Sequence, residues 1–186
     1  MDAQPNRRLP APDPWLAAQG ALLRTARPLS VLDVACGEGR NALWLAAAGI
    51  PVLGVDVSPG AVERARDEAI RHGLPARFAV RDVEREGLPP GPWGAVIVLH
   101  FLDRSLLGRV YGVLRPGGFL LVKTHLAHPL RPPRTRPRNP AHLLGSGELP
   151  RLCVGLETVR YAEWAGSHGS FAALVARRPY TGSYSS

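Results

Sequence analysis

The spacing of hydrophobic and polar positions changes several times along the chain, and each change marks a predicted element. Trp15, Leu16, Ala18, Leu22 and Leu23 recur at helical spacing, so residues 14–25 read as a short amphipathic helix introduced by Asp13-Pro14. Residues 1–13 are polar and Pro-rich and are expected to be mobile or loosely draped. SVLDVA (30–35) has the composition of a buried strand, and 39–48 that of a helix closed by Gly49. PVLGVD (51–56) is a second strand. Ser58 then serves as N-cap, with Pro59 at the first helical position of a helix running to about Arg71. Gly73-Leu74-Pro75 punctuates before a third strand at 76–81. After the loop REGLPPGP (85–92), GAVIVLH (94–100) is rich in β-branched residues and suits a strand buried on both faces. Residues 104–114 form a helix, RPGG (115–118) a turn, and FLLVKT (119–124) a fifth strand.

Strands and helices alternating at this rhythm predict a parallel sheet with right-handed crossovers. Residues 140–153 look helical in parts. The tail then changes character, with LETVRYAEW (156–164) and SFAALVARRP (170–179) on either side of a turn, a terminal antiparallel hairpin. The expected fold is therefore α/β, a mostly parallel sheet with an antiparallel C-terminal hairpin, in one domain over 1–186. A chain of this size buries roughly 70% of the surface it exposes when unfolded.

Composition narrows the class only modestly. The hydrophobic fraction of 45% is that of a globular protein. No apolar run approaches the ~20 residues a membrane helix needs. Cys36 and Cys153 lie far apart and form no metal-type spacing. A soluble cytoplasmic protein, monomer or homodimer, without a metal site is expected. The formal net charge is +8, and Lys123 is the only lysine. A nearly all-Arg chain with 19 prolines is also what a GC-rich genome produces, so charge alone argues weakly for nucleic acid. The distribution says more. Arg131, Arg134, Arg136 and Arg138 fall in a Pro-rich loop (126–140) without an acidic residue, either a lid over an anionic substrate or a solvated linker.

The chemistry concentrates in 31-VLDVACGEGRNALWLAAAGIPVLGVDVS-58. Its Gly37-Glu38-Gly39-Arg40-Asn41-Ala42 turn satisfies the G-x-G-x-x-G/A pattern of dinucleotide folds, and Asp56 follows Gly37 by 19 residues. Three features weigh against a dinucleotide. Asp33, inside the first strand, would repel a pyrophosphate but attract a cationic sulfonium amino acid. The chain turns into a hairpin rather than a second βαβ half. It also supplies no separate substrate domain.

D-x-x-x-G-x-G with an acidic residue ending the second strand resembles the class I S-adenosylmethionine-dependent methyltransferases. RDVE (81–84), the strand ending at His100 and LRPGGFLLV (114–122) extend the likeness over roughly residues 28–178. LDVACGEGRN, HFLDRSLL and RPRNPAHLL look most like the small bacterial tellurite-resistance-type enzymes. The resemblance implies a Rossmann-like three-layer sandwich of seven strands in the order 3-2-1-4-5-7-6. It implies S-adenosylmethionine as cofactor and S-adenosylhomocysteine as product. Gly37 and Gly39 would let the backbone approach the cofactor. Asp33 would meet its ammonium, Asp56 both ribose hydroxyls, Asp82 the adenine amine and the Val83 amide a ring nitrogen. Ala35, Cys36, Val57 and Leu99 would complete the cofactor's surroundings, Cys36 as a packing residue rather than a nucleophile.

Ligands of open α/β sheets sit beyond the carboxyl ends of the strands, so His100, Arg104 and His125 are the candidate catalytic residues, with Arg138 reaching from the loop. The sequence lacks the N-P-P-Y of amino-group methyltransferases, a Pro-Cys pair and an acidic metal cluster. The expected acceptor is a small anionic or soft nucleophile such as an oxyanion or thiol. For His100 a place in the core, and for Arg104 an exposed helix start, are the alternatives. A nucleic-acid- or protein-directed methyltransferase and a non-catalytic cofactor-binding protein stay open.

Overall fold

The computed structural model describes residues 8–25, 30–129, 137–167 and 169–180. Its centre is a seven-stranded sheet: β1 (Val31–Val34), β2 (Val52–Asp56), β3 (Ala76–Val80), β4 (Trp93–Leu99), β5 (Leu114–His125), β6 (Glu157–Gly166) and β7 (Gly169–Arg177). The strands lie in the order β3-β2-β1-β4-β5-β7-β6. The first five pair in parallel, and β7 runs antiparallel between β5 and β6. Both the expected order and the terminal hairpin are present.

Strand residues alternate between two cores. Leu32, Val34, Val96, Val98, Leu120 and Val122 face one side, packed with α6 (Arg104–Val113) and α7 (Glu148–Leu152). Val31, Ala95, Ile97 and Leu121 face the other. There they meet α1 (Pro14–Ala17), α2 (Gly20–Thr25), α3 (Arg40–Ala47) and α4 (Pro59–Arg71). All seven residues of β4 are buried, as its β-branched run predicts.

The local sequence accounts for most boundaries. Ser58 accepts from the Ala61 amide and Pro59 follows it, so α4 starts where the cap and the fixed proline φ agree. Asp103 caps α6 through the Ser105 and Leu106 amides.

Three differences from the sequence reading have physical reasons. The expected helix 14–25 is two pieces, α1 and α2, separated at Ala18 and Gln19. At the break the Gln19 amide turns to the Leu16 carbonyl, and the Gln19 side chain donates to the Trp15 carbonyl that a continuous helix would give to that amide. A short helix, α5 (Val83–Glu86), occupies part of the expected loop because Asp82 accepts from the Glu84 and Arg85 amides. The expected RPGG turn is absorbed into β5: Leu114 already pairs with Trp93, and the register resumes at Ala95 and Phe119, with 115–118 displaced between. Residues 1–7 and 130–136, parts of the segments expected to be flexible, lie outside the described residues.

Candidate active site

The glycine turn is built by backbone needs. Ala35, Gly37 and Gly39 take left-handed φ values of 54°, 55° and 80°. An added Cβ on Gly39 would lie 2.8 Å from Phe78, so that glycine is required by packing. A Cβ on Gly37 would meet nothing within 4 Å. Its bare backbone faces open space, which is room for a ligand rather than for the core. The Gly37 amide donates to Asp56 Oδ2 at 2.8 Å and the Ser58 amide to Oδ1 at 2.9 Å, fixing the carboxylate at the end of β2 against the turn.

Asp33 is 1% exposed, and its Oδ2 has no hydrogen-bond partner. Burial pushes its carboxyl up to about 7, against the Ala42 amide and Arg40, which favour the ionised form. A buried, incompletely satisfied carboxylate is costly unless a ligand completes it. A cationic amine would offset the charge of such a carboxylate, and a pyrophosphate would add to it. Cys36 is buried with its thiol pushed up, first by burial and then by Asp33 and Asp56, which removes thiolate chemistry.

Three clefts converge beyond the carboxyl ends of the strands. The first, about 590 Å³, holds Ala35, Cys36, Gly37, Arg40, Leu99 and His100. The second, about 580 Å³, holds His100, Phe101, Thr124, His125, Arg138 and His142 and has no acidic lining residue. The third, about 290 Å³, holds Ala35, Asp56, Val57, Asp82, Val83 and Phe101. Each pair of clefts shares one residue: Ala35, His100 or Phe101. Two of these, Ala35 and His100, are the non-glycine residues with left-handed φ among the described residues. Strain of this kind persists only where surrounding structure enforces it.

Three candidates line none of the clefts: Asp33, buried beneath the glycine turn, Gly39, packed against Phe78, and Arg104. The Arg104 guanidinium bonds Glu148 and the carbonyls of Ala141 and Leu143, so it clamps the 141–148 segment. Its place at a helix start, which the sequence showed, did not reveal where the side chain turns. Asp82 Oδ1 is used to cap α5, and Arg85 Nε lies 3.5 Å from Oδ2, so its side chain already has structural work.

Sequence reasoning missed Asp13. It ends the segment expected to be loosely draped, yet it is 2% exposed. Its carboxylate accepts from Lys123 Nζ at 2.8 and 3.0 Å and lies 2.8 Å from His100 Nε2. Its own amide donates to Asn41 at 2.9 Å. Burial raises its carboxyl, but the bonds from His100 and Lys123 outweigh burial and hold it far below the usual carboxylate range. The available signal was Asp13-Pro14 as a helix cap, together with a single lysine in an otherwise apolar strand. Lys123 also lies 4.9 Å from the centre of the Phe171 ring, a cation–π contact on the strand next to it. Among the described residues no cluster of His, Cys, Asp and Glu is placed to hold a metal ion, and no helix is long and apolar enough to cross a membrane.

Comparison with known proteins agrees with this architecture. Residues 31–118 match the methyltransferase domain family. Hemagglutinin 1 of Eikenella corrodens is 35% identical over 106 residues, 54% of this chain and 35% of that protein. Demethylmenaquinone methyltransferase of Thermus thermophilus is 38% identical over 102 residues, 51% of this chain and 46% of that enzyme. An uncharacterized methyltransferase of Mycobacterium tuberculosis is 34% identical over 128 residues, 63% of this chain and 64% of that protein. The chain therefore spans between 35% and 64% of these relatives' lengths. Among solved structures, a protein studied for converting a disulfide bond into a thioacetal group during echinomycin biosynthesis superposes with a TM-score of 0.74 at 22% identity, covering 94% of this chain and 84% of its own. TehB from Haemophilus influenzae gives 0.73 at 19% identity, covering 87% and 62%. At those identities the likeness is one of fold. The glycine turn, the strand-end carboxylates and the sheet order give the chain a Rossmann-like methyltransferase fold, and residues 31–118 are similar to the methyltransferase domain family.

Proposed function

We propose that the protein transfers a methyl group from S-adenosylmethionine to a small-molecule nucleophile bound between His100 and the 137–142 segment. The observation that carries this reading is the meeting of three clefts at Ala35, His100 and Phe101. The cleft with Asp56 and Val83 suits the adenosine end, where Asp56 would accept from the ribose hydroxyls and the Val83 amide would face the adenine. Asp82 Oδ2, which Arg85 Nε approaches at 3.5 Å, would accept from the adenine amine beside that contact. The cleft with Gly37 and Leu99 suits the methionine end, and the orphaned Asp33 oxygen would take the ammonium. Val57, which is 63% exposed, would cover the outer edge of the adenosine.

When bound, S-adenosylmethionine supplies an electrophilic methyl on a sulfonium. The chain's part is to hold the acceptor in line and exclude water. Arg138, His125 and His142, with no carboxylate in that cleft, favour an acceptor that carries negative charge or becomes negative on losing a proton. A thiol, a hydroxyl compound or an oxyanion of the tellurite kind fits. The open volume beyond His100 supports catalysis over a cofactor-binding protein without activity. Nucleic acid is less favoured, because Arg138 lines this small cleft.

The test is a screen of the purified protein with S-adenosylmethionine and a panel of tellurite, selenite, small thiols, phenols and hydroxy acids, reading S-adenosylhomocysteine. Turnover on at least one class is expected. Tight cofactor binding with no turnover on any class, alongside methylation of bulk RNA, would move the assignment to the nucleic-acid reading.

A further inference from the structure

Asp13 and His100 come together at the junction of the cofactor-side and acceptor-side clefts, although 87 residues separate them. Asp13 is almost fully buried, and its carboxylate also accepts from the Trp15 amide and from Lys123. Arg40 lies 3.9 Å from the same carboxylate. A carboxylate held ionised by these cations only accepts, so the proton it draws from a neutral imidazole must sit on Nε2. The other ring nitrogen, Nδ1, is then a lone-pair acceptor. Unlike Nε2 it has no hydrogen-bond partner among the described residues, while the His100 side chain is 32% exposed at the cleft junction. The groups facing the ring are Asp13 from the N-terminal segment, with Lys123 of β5 and Arg40 of α3 behind it. Across the cleft stand His125, with ring centres 5.6 Å apart, and Phe171 of β7.

We propose that Asp13 is a positioning residue that fixes His100 as a general base, and that the acceptor is therefore a protonated nucleophile, a hydroxyl or thiol, rather than a preformed oxyanion. This rests on the methyl-transfer reading and narrows its substrate class. The proton of the acceptor passes to Nδ1 as its oxygen or sulfur bonds to the donated methyl. The electron pair of the broken carbon–sulfur bond stays on sulfur, the sulfonium becomes a neutral thioether, and Nδ1 later returns its proton to water. A base at this point contributes only when the nucleophile arrives protonated. An oxyanion would gain nothing from so elaborate a support, for which the chain spends its only lysine.

The experiment uses the full chain labelled with ¹⁵N-histidine. Long-range ¹H–¹⁵N correlation reads the His100 tautomer above neutral pH without cofactor or acceptor. The Nε2–H tautomer is expected in the wild type, and a mixture in Asp13→Asn, whose amide can offer a proton to the ring. The wild-type spectrum decides alone if that variant does not fold. His100→Asn keeps a residue tolerant of left-handed φ. It is expected to bind S-adenosylhomocysteine within twofold of wild type and to lose at least tenfold in methylation of phenol and dithiothreitol. An Nδ1–H tautomer with cofactor binding intact would overturn this inference alone. Failure of the wild type to bind S-adenosylhomocysteine would overturn the methyl-transfer reading beneath it.

Discussion

The Gly37 amide donates to Asp56 Oδ2 at 2.8 Å, so the turn that makes room for a ligand and the carboxylate that would grip its ribose are one hydrogen-bonded unit. Asp56 also takes the Ser58 amide. Asp56→Ala should therefore lower S-adenosylmethionine affinity by at least tenfold and cost about 1 kcal/mol of stability through loss of the part-buried bond from the Gly37 amide, the Ser58 amide being open to water. Calorimetric titration beside a urea melt separates the two effects. Unchanged affinity would refute the ribose assignment.

Gly37 and Gly39 look equivalent in the sequence and are not. Both have left-handed φ, but only Gly39 would press a new Cβ into Phe78. Gly39→Ala should lose about 1–3 kcal/mol by overpacking together with backbone strain. Gly37→Ala should unfold with a smaller loss yet bind cofactor more weakly than Gly39→Ala does. Thermal melts with and without S-adenosylhomocysteine measure both.

Asp33 predicts a pH dependence of definite sign. Its carboxyl is raised from 3.8 to about 7, chiefly by burial. The unfolded chain releases this proton first, so unliganded stability falls as pH rises from about 4 to about 7 and is flat above. Pairing with a cation requires the ionised form, so cofactor affinity should fall below pH 7, by up to roughly tenfold per pH unit. Asp33→Asn should flatten the stability slope and weaken binding at pH 8. Affinity that rises on acidification would contradict the assignment.

Asp13 acts in the opposite direction. Its carboxyl is held low by His100 and Lys123 against the effect of burial, so its contribution is present above about pH 4 and is lost as pH falls further. Asp13→Ala strands a buried ammonium and should cost about 3–5 kcal/mol at neutral pH. Lys123→Met should cost less, because the carboxylate keeps His100 and the Trp15 amide. Denaturant unfolding at pH 7 and pH 3.5 checks the order and the pH trend.

The glycine turn and the strand ends were legible because their signals are local. Glycines that need left-handed φ and carboxylates at strand ends sit within one βαβ unit, and Ser58-Pro59 marks its second helix. The sheet order came from family likeness, since alternation alone does not choose a neighbour for each strand. Asp13 escaped notice because its partners are 87 and 110 residues away and its neighbours are polar and Pro-rich. Arg104 was misplaced for the converse reason: the sequence located its Cα near the cleft, but Glu148 and two carbonyls, distant in sequence, decide where its guanidinium lies. The split of α1 from α2 falls at Gln19, whose amide turns to the Leu16 carbonyl while its side chain takes the Trp15 carbonyl.

The central claim is that the glycine turn holds S-adenosylmethionine and not a dinucleotide. Side-by-side titration with S-adenosylmethionine, S-adenosylhomocysteine, NAD and NADP tests it most directly. At 100 times the dissociation constant a ligand stabilises by ~2.7 kcal/mol, a rise of roughly 5–11 °C in melting temperature for a domain of this size. The account predicts that rise with the two sulfur compounds and none with the nicotinamide cofactors. A rise with NAD alone would contradict it.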